Sequence, residues 1–209
     1  MRKVMRNAAR RLARTSLLLL CLGLTTQAYA AGPDYDGLNS LLYESAGNKE
    51  AMCDAIRTLS RELARRPDDA ELLRMRVNAY RSVGDYFSAK KDAEKLARMF
   101  PGFTPYRVLN CMLLESTGAA EKDYLACYRS VLSSFGSDSL KEKDPHGHVL
   151  VLLLAKAPEA EKLRRQYSQA LTPEANGYNV TREQLLHFDR RAIVPRVEPG
   201  VAWQNPCSE

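Results

Sequence analysis

The sequence predicts an all-α protein, an antiparallel helix-pair solenoid followed by an extended, Pro-rich C-terminal tail. Three observations predict it. From Asn39 to about Leu171, apolar residues recur at helical spacing between short breaks. The breaks recur too: Pro67, Pro101 and Phe135 stand 34 residues apart, and so do Gly84 and Gly118. No segment alternates apolar and polar residues for long enough to make a strand.

The first element is a leader. Residues 1–30 hold a basic stretch to Arg14, an apolar stretch from Leu17 to Leu24, and small residues at Ala28 and Ala30 around Tyr29. That layout is a secretory signal peptide, cleaved after Ala30. Its apolar stretch falls short of the roughly 20 residues a spanning helix needs. Leu20 precedes Cys21 where lipoprotein processing sites have a small residue, and the surroundings of Arg10-Arg11 do not extend a twin-arginine match. Of the 31 basic residues, six lie in this leader, which has no acid; the remainder carries 25 of each sign. The net charge of +6 therefore belongs to the leader. It gives no support to nucleic acid or an anionic membrane surface as partner. No later apolar run is long enough to span a bilayer, so the reading is a soluble protein exported to a bacterial periplasm, without stable membrane insertion after cleavage.

The helical domain is placed at 31–171. Ala51, Ala55, Leu59 and Leu63 give the helix from Glu50 to Arg66 one apolar face. Pro67-Asp68-Asp69 ends it, and the acids suit the start of the next helix, Ala70 to Val83. After Gly84-Asp85 comes Phe87 to Phe100, then Pro101-Gly102, then Pro105 to Ser116, then Gly118 and a helix from about Ala119 to Phe135. The run Lys90, Lys91, Asp92, Glu94, Lys95 and Arg98 reads as a solvated helix face. Gly136 to Gly147 is turn-rich and reads as a loop. Val149 to Lys156 and Pro158 to Leu171 then supply a last pair, displaced from the 34-residue ladder. Residues 172–209 hold a short helix, opened by a capping box at Thr181 and Gln184, and the tail with Pro195, Pro199 and Pro206.

An interval of 34 that contains two helices and a tight turn is the period of the tetratricopeptide repeat. The unit from Ala70 to Pro101 resembles that family in Ala79-Tyr80, Gly84-Asp85-Tyr86, Ala89, Leu96 and Pro101. Tyr80 fills the space between paired helices, Gly84 permits the turn, and Ala89 allows close approach. Leu73, Arg76, Val77 and Ala93 depart from the pattern. The next unit departs further, with Leu114 in place of Tyr and Asp123 in place of Ala. The unit before it keeps mainly its second helix, through Ala55 and Pro67.

Export and an even cysteine count favour disulfides. Cys21 leaves with the leader, and no C-x-x-C remains among Cys53, Cys111, Cys127 and Cys207. Cys111 lies seven residues before Gly118 and Cys127 nine after it, at similar heights across an antiparallel pair. They are expected to bond, which leaves Cys53 for Cys207 and requires the tail to run back along the stack. The elements of an enzyme are sparse. His146, His148 and Asp144 could ligate a metal but sit in the expected loop, and His187 reads as a helix-face residue. No nucleophile elbow, phosphate loop or zincin motif is present, and no cofactor is implied. Asn179-Val180-Thr181 matches a glycosylation acceptor that a bacterial periplasm would leave silent.

What remains is a surface. The family resemblance implies a concave groove lined by the first helix of each pair, which receives a protein or peptide segment. It assigns Glu71, Arg74, Asn78 and Arg81 to that groove. Arg74 and Asn78, four apart, resemble the basic-then-Asn pair with which some chaperone-binding members grip a terminal carboxylate. One repeat later the corresponding Val108 and Met112 are apolar. The resulting expectation is a non-enzymatic, periplasmic protein-binding module, an assembly or scaffold factor of the envelope. An immunity or inhibitor protein against a toxin or hydrolase fits the same features, and an envelope hydrolase with dispersed carboxylates is the alternative of another class. The leader reading has a direct check: N-terminal sequencing of the exported protein should begin at Ala31, and a chain beginning at Met1 would reject it.

Overall fold

A computed structural model describes residues 32–136, 144–170, 183, 185–197 and 203–207. The leader, the Asn179-Val180-Thr181 sequence, the Thr181 and Gln184 capping pair, and Pro199 lie outside those residues. Among the described residues there are nine helices and no strand, so the protein is all-α. The helices are α1 (Tyr35–Glu44), α2 (Lys49–Arg65), α3 (Ala70–Ser82), α4 (Tyr86–Met99), α5 (Thr104–Ser116), α6 (Glu121–Ser134), α7 (Pro145–Leu154), α8 (Ala160–Ala170) and the single turn α9 (Arg190–Ile193). The first eight form four consecutive helix pairs, and each of α1 to α8 packs against its neighbour in sequence. None of these helices is long and apolar enough to cross a membrane.

Capping fixes most helix starts. Asp34, Asn48, Asp69, Asp85 and Asp144 each accept a hydrogen bond from a backbone N–H in the first turn of the helix they precede. Two starts differ from the sequence reading. A complete first pair exists, because Asp34 opens α1 where only the second helix was expected. Asp144-Pro145 is not loop: Asp144 caps α7 and Pro145 occupies its first turn, so His146, Gly147 and His148 are helical. A third difference lies near the end. Instead of the one short helix that the sequence suggests for this region, the chain turns at His187 and restarts as α9 behind an Asp189 cap.

The turns inside the pairs share one conformation. Gly47, Gly84 and Gly118 have φ of 81°, 80° and 84°, and Lys156 holds the same place in the fourth pair with φ 54°. At three of them the helix ends in a Schellman arrangement: Asp85 N–H donates to Tyr80 O (2.8 Å), Ala119 N–H to Leu114 O (3.3 Å) and Ala157 N–H to Leu152 O (3.0 Å). The 34-residue interval thus reflects a repeated turn, and the fourth pair repeats it without the glycine.

Three apolar clusters fill the stack. Leu59, Leu63, Leu72, Leu73, Val77, Ala89, Ala93 and Leu96 dominate the first, between the first two pairs. Leu73, Val77 and Ala93, which depart from the repeat pattern, are all buried there. Tyr128, Val131 and Phe135 anchor the second, with Val151, Leu154 and Val194. Val149, Leu152, Leu153, Ala160 and Leu185 form the third. α7 contributes to both of the last two, which explains why it is apolar on nearly every side.

The C-terminal residues run back over this stack. Val197 N–H donates to Ser116 O (2.9 Å) in the third pair. Trp203 Nε1–H donates to Asp85 Oδ1 (3.0 Å), and its ring meets Phe87 edge-on in the second pair, with centroids 5.9 Å apart. Cys207 bonds to Cys53 in the first pair, with Cα atoms 5.4 Å apart. Cys111 bonds to Cys127 across α5 and α6, with Cα atoms 5.6 Å apart. Both pairings agree with the sequence reading. Every anchor of the returning segment lies within a few residues of Gly118, Gly84 or Gly47, so it straps one edge of the stack, the edge of the intra-pair turns.

The turn conformation yields a prediction. A Cβ added at Gly118 meets nothing within 4 Å, so Gly118→Ala should cost about 1 kcal/mol through backbone conformation alone. Lys156→Gly should gain about 0.5–1 kcal/mol by the same reasoning, measured at high salt where its exposed pair with Glu121 is screened. Denaturant melts check both, and a destabilised Lys156→Gly would refute the shared turn.

Candidate binding surface

The predicted groove residues divide into two groups. On α3, Glu71, Arg74, Asn78 and Arg81 remain open to solvent to different degrees, with Asn78 the most exposed. Arg74 Nε–H donates to Glu71 Oε2 (2.8 Å), an ion pair one turn long on the helix itself. That hydrogen bond is the main reason the Glu71 carboxyl lies below its ordinary pKa and the Arg74 guanidinium above its own. The Tyr106 hydroxyl adds to the Arg74 shift, which places the start of α5 beside this row. On α5, however, Val108 is buried in the second cluster and Met112 is half-buried against it. The apolar half of the predicted surface therefore supports the stack, and Val108 has no face to offer a partner. Val108 shares its cluster with Tyr124 and Tyr128 of α6, Val151 and Leu154 of α7, and Val194.

Continuing that row, Glu115 stands 34 residues after Arg81. It is 1% exposed, accepts hydrogen bonds from two side chains and forms an ion pair with a third. Arg190 donates to both of its oxygens (2.8 Å each) and the Tyr128 hydroxyl to Oε2 (3.1 Å), while the Arg196 guanidinium pairs with Oε1 at 3.0 Å. Arg190 and Arg196 also lie over the Tyr124 ring, 5.3 and 4.7 Å from its centroid. Burial opposes the Arg190 charge, but its hydrogen bonds to Glu115 outweigh that and raise its pKa. Burial, reinforced by Glu115, pushes the Tyr128 hydroxyl well above its ordinary range. A glutamate among Leu113, Leu114 and Ser116, with arginines in the tail, was the available signal in the sequence.

A second buried pair corrects the solvated reading of α4. Asp92 is 7% exposed and takes a bidentate contact from Arg76 (Nε–H to Oδ2 2.7 Å, Nη2–H to Oδ1 2.8 Å). Arg76 also donates to Ser60 Oγ (3.0 Å) and lies 5.7 Å from the Tyr80 centroid. Arg76 departs from the repeat pattern, and Asp92 on the partner helix answers its charge. The rest of the run stays on the surface, where Lys90 pairs with Glu94 and Lys95 with Asp68.

The opposite edge of the stack carries exposed aromatics. Phe100 closes α4 and is 39% exposed; Phe103 is 50% exposed and opens α5. Both rings contact Tyr106, at centroid separations of 5.7 and 4.7 Å. Phe103 occupies the N-cap of α5, where it makes no side-chain hydrogen bond. A polar cap there is worth about 1 kcal/mol; Phe103 forgoes it and packs its ring on Tyr106 in the first turn of α5 instead.

The histidines do not converge. His148 stacks on Phe135 with centroids 5.2 Å apart, while burial lowers the His146 pKa against the opposing charge of Asp144. His187 is exposed and faces Glu183 at 3.2 Å. Among the described residues no group of three His, Cys, Asp or Glu side chains is placed to hold a metal. No protein-family model matches the chain, and neither a curated protein nor a solved structure matches it.

The Glu115 cluster predicts a graded series. Glu115→Ala leaves two guanidinium groups with no carboxylate at this site and should cost about 3–5 kcal/mol. Arg190→Ala should approach that loss. Arg196→Ala should cost no more than about 1 kcal/mol, since its side chain is 46% exposed. Urea denaturation ranks the three variants, and equal losses at Arg190 and Arg196 would refute the series.

Proposed function

We propose that this chain is an exported protein-binding module, tetratricopeptide-like in architecture, which acts in the bacterial envelope as an assembly or scaffold factor. The observation that carries this reading is the open α3 row. Glu71, Arg74 and Asn78 are presented together, with the Phe100, Phe103 and Tyr106 cluster at the edge away from the strap. Charged and amide groups beside exposed aromatic rings suit a protein segment: aromatic anchors supply the buried contact, and polar groups set its register. The strap and two disulfides favour a preorganised surface, which lowers the ordering cost of binding. The signal-like pattern of residues 1–30 and the cysteine pairing, which suits an oxidising compartment, support a periplasmic location.

Affinity capture from periplasmic extract tests the reading. Arg74→Gln combined with Asn78→Ala should reduce the recovered partner at least tenfold. Both positions are accessible, so stability should stay within about 0.5 kcal/mol per site of the parent. Undiminished capture by the double variant would remove the α3 face from consideration.

A further inference from the structure

The two disulfides close very different loops. Cys111 and Cys127 are 16 positions apart on α5 and α6, adjacent helices that pack against each other. Cys53 and Cys207 are 154 positions apart, and Cys207 belongs to the returning strap instead of a helix. Each bond joins one buried cysteine, Cys111 at 1% or Cys53 at 5% exposure, to a half-buried one, Cys127 or Cys207. Access for an attacking thiol is therefore similar at both. What differs is the grip on the cysteines once a bond is broken. Packing of α5 on α6 keeps Cys111 beside Cys127 with or without the covalent link. The end of the strap is held more lightly: Trp203 is 45% exposed and makes one hydrogen bond, to Asp85, and one ring contact, with Phe87. Gln204 and Asn205 are exposed, and Asn205 Oδ1 accepts from Cys207 N–H (2.9 Å) within the strap itself. A freed Cys207 thus faces Cys53 at a low effective concentration, and reclosure competes poorly with a second thiol. The strap also closes a cavity of about 730 Å³ beside α2, walled by Arg57, Thr58, Arg61 and Tyr80 and, on the strap side, by Asn205 and Cys207. It shares no residue with the α3 row.

We propose that the Cys53–Cys207 bond is a redox latch: a protein dithiol opens it, residues 203–207 leave the stack and the cavity beside α2 loses one wall, while Cys111–Cys127 stays closed. A thiolate of the dithiol attacks Cys207 Sγ. A sulfur–sulfur bond forms to Cys207, the bond to Cys53 breaks, and Cys53 leaves as a thiolate that takes up a proton. The second thiol of the reductant then attacks its partner's sulfur in the mixed disulfide, and Cys207 leaves and is protonated. The dithiol loses two electrons and two protons to become a disulfide, and the protein gains both as two thiols. The helices survive the opening. When Trp203 departs, Asp85 Oδ1 keeps its bond from Ser88 N–H (2.9 Å), so α4 retains its cap.

Equilibration of the full exported protein in buffers of reduced and oxidised dithiothreitol tests the latch, with acid quenching, alkylation and peptide mapping at each ratio. Cys53 and Cys207 should become half alkylated at a reduced-to-oxidised ratio at least tenfold lower than Cys111 and Cys127 require. Trp203 is the single tryptophan of the chain, so its fluorescence reports the strap directly. Its emission should shift to the red, and its quenching by acrylamide should increase, in step with alkylation of Cys207, while far-UV circular dichroism stays unchanged. Oxidised dithiothreitol should restore the starting spectrum. Cys207→Ser should show the shifted emission without reductant and should not respond to it further. Equal midpoints for the two bonds, earlier opening of Cys111–Cys127, unaltered Trp203 fluorescence after Cys207 is alkylated, or loss of helix signal together with the Cys53–Cys207 bond would overturn the proposal.

Discussion

A carboxylate buried in an apolar stack is unstable unless it is answered, and Glu115 makes that demand on the whole C-terminal half of the protein. Its four partner contacts come from Arg190, Arg196 and Tyr128, so the helix pair cannot reach its native packing until the tail has returned. The same requirement orients α9 and places Val194 in the second cluster. From Val197 the chain is already on the edge that leads to Asp85 and then Cys53. One buried charge therefore fixes where residues 190–196 lie.

That arrangement alters the usual behaviour of a repeat array. Helix-pair stacks are held by nearest-neighbour contacts, and their ends can melt without the middle. Here the last described residues are tied to the first pair, and contacts between Trp203 and Asp85 or Arg190 and Glu115 span 118 and 75 residues. The first pair cannot open freely while the strap holds it. The array gains cooperativity at the cost of longer-range contacts and slower assembly.

Much of this was legible in sequence, and the parts that were not share a cause. The helix pairs announced themselves through Pro67, Gly84, Pro101 and Gly118, because turn chemistry is local. The Cys111–Cys127 bond followed from the same turn. Arg76–Asp92 was missed because its members are 16 residues apart, each looking like an ordinary surface charge on its own helix. Glu115 was missed for a similar reason: burial is decided by segments far away in the chain. Val108 and Met112 were placed on a surface because the repeat register predicts facing, whereas Val108 is buried in the second cluster and Met112 is half-buried against it. The short α1 escaped notice because its buried contribution is slight, with Leu38 its single buried residue.

The nesting of the two disulfides has a consequence for biogenesis. If the chain is exported N-terminus first, as proposed above, Cys53 and Cys111 reach an oxidant before Cys127, and Cys207 arrives last. Joining cysteines in order of arrival would link Cys53 to Cys111 and leave Cys127 for Cys207, neither of which is native. The native set therefore requires either that oxidation wait for the helices to form or that an isomerase reshuffle the early bond. The helical hairpin of α5 and α6 favours the first route, since its cysteines are only 16 positions apart and its contacts form locally. Once that hairpin closes, Cys53 has a single remaining thiol to meet, and the end of the chain becomes the final act of maturation.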